Sequence, residues 1–494
     1  MYYPTLEEVK KRRRDGNLVP VYREIVADLE TPVSAFLKVN RGGYSFLLES
    51  VEGGQQLARY SFIGTEPYRV LTVKGKDKTN PLPLIAEELN KHKIVPVSEL
   101  PRFSGGAVGY LAYETVTRFE ELPSPDADPL NLAESIFMFV DTMLVFDHVT
   151  HKIKVLSHVH LDEDIEAAYQ KAVDKIDDLV DRLNQPLKPS QHKRAATRPV
   201  RNYKLSSNSS KEEFKASVLK IKQYITAGEA IQVVLSQRLA QPTDAAPFEI
   251  YRALRTINPS PYMFFLDFTD FHIIGSSPEI LVRVEDGMVM TRPLAGTRPR
   301  GKSPAEDIRL EQELRSDEKE RAEHIMLVDL GRNDIGRVSE PGTVEVSDLM
   351  DVERYSHVMH LVTHVQGKLR RDMSALDALQ ACFPAGTVSG APKVRAMEII
   401  AELEPEKRGP YAGAAGYFSF SGNMDMAIAI RTMVVKNGIA YTQAGCGIVY
   451  DSVPEREYEE TMTKARALLK AIDQAESSGL KLEENHAVTN RQLR

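Results

Sequence analysis

"MAIAIRTMVVKNGIAYTQAG" (residues 426–445) reads as two apolar, β-branched segments joined by Asn437-Gly438. Asn-Gly supplies the two positive-φ positions that a two-residue hairpin turn requires. "EILVRVEDGMVM" (279–290) repeats the device around Asp286-Gly287. Hairpins of this kind build antiparallel sheets, because parallel neighbours need a long crossover instead. Upstream, "YSFLLESVEG" (44–53), "RVLTVKG" (69–75), "GGAVGYLAYE" (105–114) and "SIFMFVDTMLVFDHVTHKIKVLSHV" (135–159) are rich in β-branched and aromatic residues, the last with a hairpin near Asp147–His151. Helical spacing appears at about 162–184 and again where Phe214, Val218, Ile221 and Ile225 share one face. The expected fold is α+β: antiparallel sheets packed as a sandwich with helices outside, in two intimately associated subdomains.

Composition places the chain among soluble globular proteins. It has 494 residues, 42% hydrophobic and 27% charged, which allows two or three domains. A net charge of −7 argues against nucleic acid or anionic lipid as a partner, so an anionic ligand must be held by local donors. The basic run 10–14 follows Glu7 and Glu8 and reads as a solvated helix face. Two cysteines suit a reducing compartment, and no apolar run reaches membrane length, so a cytoplasmic location without a leader is expected. Residues 186–211 are polar and proline-bearing, a linker between an N-terminal domain, 1–185, and a second domain, 212–474; residues 475–494 form a polar tail. There is no repeat of solenoid period.

Several groups could carry chemistry. Glu320 and Glu323 lie i, i+3 on a stripe continuing to Leu327 and Leu330, and Glu457 and Glu460 on one continuing to Thr461, Ala465 and Leu468. Carboxylates on apolar stripes need partners, and with few thiols or imidazoles nearby a hard cation such as Mg²⁺ would suit them. By spacing alone they remain ordinary surface glutamates. "TRPLAGTRPRG" (291–301) looks like a rigid, donor-rich turn suited to an anion. Gly386, Thr387, Ser389 and Gly390 precede a helix with Pro392 in its first turn, a loop that is either an anion cradle or simply a helix start. Arg431 alternates with Ala427, Ala429 and Met433, as if on a strand face with room for a ligand carboxylate; a structural ion pair is the other reading. Gly445 and Gly447 permit close backbone approach, and Cys446 between them lacks the pattern of a thiol nucleophile. His360 sits among apolar residues, where a hydrogen-bonded core histidine is the commoner outcome.

Taken in order, "GEAIQVVLSQR", "NPSPYMFFL", "GSSPEILVRV", "TRPLAGTRPRG", "AEHIMLVDLGRNDIGRV", "FPAGTVSGAPK", "AIAIRTMVV" and "QAGCGIVYDSVPEREYEET" resemble the chorismate-utilising enzymes across about 213–472, and within them the anthranilate synthase large subunits. The resemblance implies Mg²⁺ at Glu323 and Glu460, with Glu320 and Glu457 beside them. It implies substrate contacts from Gly296, Thr297, Tyr411, Arg431 and the backbone of Gly445, Cys446 and Gly447, with Thr387 a further one. Glu279 resembles the general acid for the C4 hydroxyl, and His360 the residue serving pyruvate elimination.

Two positions then separate the reactions within this family. Ala295 stands where aminodeoxychorismate synthases typically carry a nucleophilic lysine. Gln232 stands where the isochorismate and salicylate synthases carry a lysine that activates water. Ammonia needs no base, so amination at C2 is implied. Leu48, Glu49 and Ser50 of "LLES", with Pro261, Tyr262 and Met263, resemble the elements that bind L-tryptophan as a feedback inhibitor; the chain itself has no tryptophan. No glutaminase triad is present, so ammonia is expected from solution or from a separate glutamine amidotransferase subunit. A non-catalytic sensor of tryptophan and chorismate is the rival of a different class.

Overall fold

Both hairpins form. Asp286 (φ 51°) and Gly287 (φ 80°) turn between strands Ile280–Glu285 and Met288–Thr291, and Asn437 (φ 52°) and Gly438 (φ 73°) turn between Thr432–Lys436 and Ile439–Ile448. The computed structural model describes residues 1–51, 59–187, 204–355 and 358–491, with side chains to residue 477. Most of the expected linker therefore lies outside the described residues. The last helix, Pro454–Arg491, runs through the polar tail.

Two large sheets carry every named strand, and all their pairings are antiparallel. The first runs from Leu18–Val26 through Lys152–His160, Thr142–Asp147, Tyr60–Thr65 and Ser45–Glu49 to Tyr262–Asp267, Phe271–Ser277, Thr432–Lys436, Ile439–Ile448 and Gln232–Pro242. The second runs from Leu294–Pro299 through Val358–Lys368, Met288–Thr291, Ile280–Glu285, Met424–Ile428 and Ala414–Ser419 to Gly106–Leu111, Ser135–Val140 and Arg69–Val73. Segments 1–185 and 212–474 thus share both sheets.

Alternation along the strands explains the layers. Phe46, Phe62, Val145, Phe264 and Val434 of the first sheet meet Val108, Tyr110, Met138 and Tyr417 of the second in one core between the sheets. Residues one position on point outward. Leu47, Ile63 and Phe265 pack under helices Pro32–Val39, Ile165–Asn184, Pro247–Ile257 and Pro454–Arg491. Val282, Val284 and Phe418 pack under helices that include Glu318–Gly336 and Lys393–Leu403. The result is helices, sheet, sheet, helices.

The strand order also contains a symmetry invisible in the sequence. Ser45–Glu49 and Tyr262–Asp267 lie side by side at the middle of the first sheet, and on each side the strands follow in the same chain order. The second sheet mirrors this about Gly106–Leu111 and Ala414–Ser419. Among the longer strands each half passes twice from one sheet to the other, and the two-residue strand Gly390–Ala391 makes a further brief return to the first sheet beside Gln232–Pro242. In the C-terminal half the passages are residues 278–279, between Phe271–Ser277 and Ile280–Glu285, and 429–431, between Met424–Ile428 and Thr432–Lys436. The first segment of the quoted stretch, 426–436, therefore belongs to two strands of different sheets, where periodicity suggested one. Arg431 does not alternate on a strand face: it is the left-handed residue (φ 49°) at which the chain changes sheet.

Candidate active site

The two passages lie side by side and are hydrogen-bonded to each other. Ser276 N–H donates to Arg431 O at 3.0 Å, and Ile428 N–H to Glu279 O at 3.0 Å. Backbone pairing that leaves one sheet must be completed across the gap, and these bonds do so. Glu279 and Arg431, 152 positions apart in sequence, are held at one corner between the sheets.

Glu279 is 6% exposed, and burial pushes its carboxyl up to about 8; Thr387, the backbone of Leu294 and Lys464 oppose that only in part. It is consequently protonated at neutral pH. Thr387 lies in the single turn Gly386–Ser389, and both residues line a cavity of about 30 Å³ with Asp334 and Cys382. The Thr387 hydroxyl is buried beside the Glu279 carboxyl. Pro392 precedes the following helix, Lys393–Leu403, rather than occupying its first turn.

Arg431 spans toward the last helix, where Nη1 donates to Lys464 O at 3.1 Å. Burial lowers its pKa, while Tyr411 and Glu460 favour its charge. Lys464 Nζ in turn donates to Gly445 O at 3.0 Å and pairs with Glu460 at 2.7 Å. A Cβ on Gly445 would come within 2.7 Å of the Tyr411 hydroxyl, and one on Gly447 within 2.3 Å of Gln232 Nε2. Gly445 is required by close approach, since the Leu235 carbonyl would also lie 2.8 Å from that Cβ, whereas at Gly447 the flexible Gln232 amide would have to move. Cys446 between them is buried, and its thiol is pushed up by burial and then by Glu457, so no thiolate nucleophile is available.

On the opposite wall, His360 stands on strand Val358–Lys368. Its Nδ1 lies 2.7 Å from Gly296 O and 3.2 Å from Thr297 Oγ1. The carbonyl acceptor assigns the Nδ1–H tautomer, leaving Nε2 with a lone pair. Burial lowers the pKa of this imidazole; the Gly296 contact opposes that, and the Arg431 charge adds to it. Gly296 (φ 65°) sits in a register shift between Ala295 and Arg298, and a Cβ there would meet Leu314 and Glu320. Within "TRPLAGTRPRG", Leu294–Pro299 is a strand where a turn was expected. Arg292 pairs with Glu353, Arg298 with Asp317 at 2.7 Å and Arg300 with Asp307 at 2.8 Å, while Arg292 Nε is buried with no hydrogen-bond partner among the described residues.

The four glutamates come from two helices facing this corner. Gln232 Nε2 donates to Glu323 Oε1 at 2.9 Å, whereas its own Oε1 is buried without a partner among the described residues. Glu320 is pushed up by burial and by Glu323, and Glu457 by burial and by Glu460. Among the described residues no three His, Cys, Asp or Glu side chains converge as a ligand set. Ser452 Oγ accepts from Val449 N–H, and the helix opens at Pro454. Lys464 escaped the sequence reading. Its signal was the i, i+4 spacing from Glu460, too common to single out.

The second group of expected residues lies across the first sheet's midline. Met263 pairs with Glu49 and Phe264 with Leu48, and Val51 N–H donates to Ser260 O, so "LLES" and "NPSPYM" are neighbours. Leu48, Glu49, Ser50, Pro261, Tyr262 and Met263 line a cavity of about 420 Å³ together with Arg59, Arg102, Arg283 and Asp425. The Glu49 carboxylate is committed to the Tyr251 hydroxyl and Arg255 Nε, at 2.5 and 2.9 Å.

The sequence matches the family described as chorismate binding enzyme over residues 43–470. It is 54% identical to anthranilate synthase component 1 of Acetivibrio thermocellus, covering 96% of this chain and 99% of that one. It is 47% identical to the protein of that name from Pseudomonas aeruginosa over the same shares. Among solved structures, anthranilate synthase component I from Streptococcus pneumoniae superposes with a TM-score of 0.74 at 39% identity, over 90% of this chain and 98% of that chain. The menaquinone-specific isochorismate synthase of Escherichia coli shares the fold, with a TM-score of 0.69 at 19% identity over 94% and 98%.

Proposed function

The chain belongs to the chorismate-binding enzyme family, and on that premise we propose that it is the large subunit of an anthranilate synthase, turning chorismate and ammonia into anthranilate and pyruvate. The observation that carries the reading is Glu279, a buried carboxyl protonated at neutral pH on the sheet passage beside Arg431. Hydroxide is a poor leaving group, and a neutral carboxyl suits the proton transfer that lets the C4 hydroxyl depart as water.

The nucleophile follows from what the site lacks. Ala295 offers no amine to the ring, and the Gln232 amide cannot deprotonate water. Ammonia brings its own lone pair to C2. Elimination then removes the C2 proton and breaks the bond from C3 to the enolpyruvyl oxygen, releasing pyruvate and the aromatic ring. His360, with Nε2 bare, serves that step, while Arg431, Tyr411 and the Gly445–Gly447 backbone grip the enolpyruvyl carboxylate.

Mg²⁺ fits the glutamate pairs, since each holds like charges in a half-buried setting and this ion takes only one or two carboxylates, completing its shell with water and ligand oxygens. Glu323 and Glu460 would hold it beside Glu320 and Glu457. Bound there, it supplies charge neutralisation and orientation for the ring carboxylate of chorismate.

In this reading the ammonia comes from a separate glutamine amidotransferase subunit, as the name component 1 of the relatives suggests. L-tryptophan, the pathway's end product, occupies the 420 Å³ cavity as feedback inhibitor, and the enzyme works in the cytoplasm. Among the described residues no helix is long and apolar enough to cross a membrane.

The test is the purified chain with chorismate, Mg²⁺ and ammonium, the product identified by fluorescence and mass. Anthranilate with one equivalent of pyruvate supports the reading; binding without turnover would make the protein a sensor. Replacement of His360 by methionine slows elimination more than amination, so an aminated, non-aromatic intermediate accumulates. If mass spectrometry finds none and both steps fall together, His360 is structural.

A further inference from the structure

The 420 Å³ cavity and the catalytic corner are built on the same strands. Tyr262, whose ring lines the cavity, lies opposite Ser277, two residues before Glu279, and Met263 lies opposite Ser276, which donates to Arg431 O. In the second sheet Arg283 and Asp425 are cross-strand partners on Ile280–Glu285 and Met424–Ile428. Those two strands end at Glu279 and at the passage holding Arg431. From Arg283 back to Glu279 is four residues, roughly 13 Å of extended chain.

One polar triangle ties the two sheets together there. The Tyr262 hydroxyl donates to Asp425 Oδ1 at 3.0 Å and accepts from Arg283 Nη2 at 3.1 Å. Arg283 Nε donates to Asp425 Oδ2 at 3.0 Å. Arg283 and Asp425 are 7% and 6% exposed, so these bonds are shielded from solvent. The other charged groups facing the triangle are Arg102, 3.6 Å from Asp425 Oδ2, and Glu285, which takes Arg102 Nη1 at 2.8 Å. From the triangle the strands run to the corner where Glu279 and Arg431 sit.

We propose that the Tyr262–Asp425–Arg283 triangle is the positioning joint through which an amino acid in the cavity displaces Glu279 and Arg431. The inference rests on the reading of the cavity as the tryptophan site. A ligand carboxylate is drawn to Arg283 and Arg102 and a ligand ammonium to Asp425, so a bound amino acid takes its hydrogen bonds from the triangle. Occupancy and an intact triangle then compete, which provides the differential affinity that any ligand-driven shift requires. The sheet-to-sheet angle is released or reset at this point, and the two strands carry the change to the corner.

The experiment separates binding from its consequence. Tryptophan binding to the full chain is measured by calorimetry, and ammonia-dependent turnover at saturating tryptophan is expressed against turnover without it. Tyr262→Phe removes only the hydroxyl that closes the triangle and keeps the ring; Asp425→Asn is the second variant. Tyr262→Phe is expected to bind tryptophan still, while the fraction of activity surviving at saturation rises at least about fivefold, the low end of measured coupling factors. A bound, saturated Tyr262→Phe enzyme inhibited as completely as wild type overturns the joint. Loss of tryptophan binding in Tyr262→Phe at any accessible concentration also overturns it, making the triangle part of the binding surface. Absence of binding to wild type overturns the tryptophan reading itself, and the joint with it.

Discussion

Replacing Glu279 by glutamine lowers turnover by about 10²–10⁴-fold, the usual contribution of a positioned general acid. The residue is buried at the sheet passage, with a pKa of about 8 caused mainly by lost hydration. The acid form is the working one, so kcat/KM in the wild-type enzyme falls as pH rises through about 8. The glutamine variant loses that limb of the profile along with its rate. The same shift has a consequence for stability. Between the ordinary glutamate range and about 8, the folded state keeps a proton that the unfolded chain has lost, so stability declines as pH rises through that window. Glu279→Gln therefore melts higher than wild type near pH 8 while being nearly inactive. Steady-state pH profiles and thermal melts check both signs, and a variant with normal turnover would remove Glu279 from the chemistry.

Converting Glu323 or Glu460 to glutamine abolishes Mg²⁺-supported turnover at limiting metal, with a loss of at least about 10²-fold that excess Mg²⁺ recovers only in part. Each amide keeps most local contacts. The amide at position 323 still offers an oxygen to Gln232 Nε2, and position 460 still faces Lys464 across a helix turn. The fold is therefore retained, and the lost quantity is negative charge that no neighbour replaces. Activity titrated against Mg²⁺, with circular dichroism as the fold control, is the measurement. Near-normal activity of both variants at limiting Mg²⁺ would overturn the metal assignment.

The candidate site was legible in unequal parts. Glu279, Arg431, Tyr411 and the 445–447 backbone were each singled out by residue type or by likeness to a family, and the structure brings them to one corner. Arg431 was placed on the right segment for the wrong reason. Its alternation with Ala427 and Ala429 is the tail of one strand, and the left-handed turn at Arg431 begins another in a different sheet. Residue pattern cannot mark such a passage, because both strands are apolar on the faces they bury. The ion pairs of the arginines in "TRPLAGTRPRG" were not legible, because Glu353 arrives from a distant strand and Asp317 from the start of a helix, and local sequence shows neither.

What the sequence by itself determined is therefore local and chemical. Asp286-Gly287 and Asn437-Gly438 dictate hairpins, because few other dipeptides adopt their backbone angles. Ala295 and Gln232 carry no nucleophile and no base, wherever they are placed, and the proposed use of ammonia rests on that. Tertiary structure alone decided which sheet each strand joins, that Ser45–Glu49 pairs with a strand more than 200 residues away, and that the chain folds as two like halves around that pair. It also decided that Glu279 is neutral. Its pKa comes from water excluded by residues far along the chain, and long-range pairing and burial depend on how whole faces pack, which no local pattern encodes.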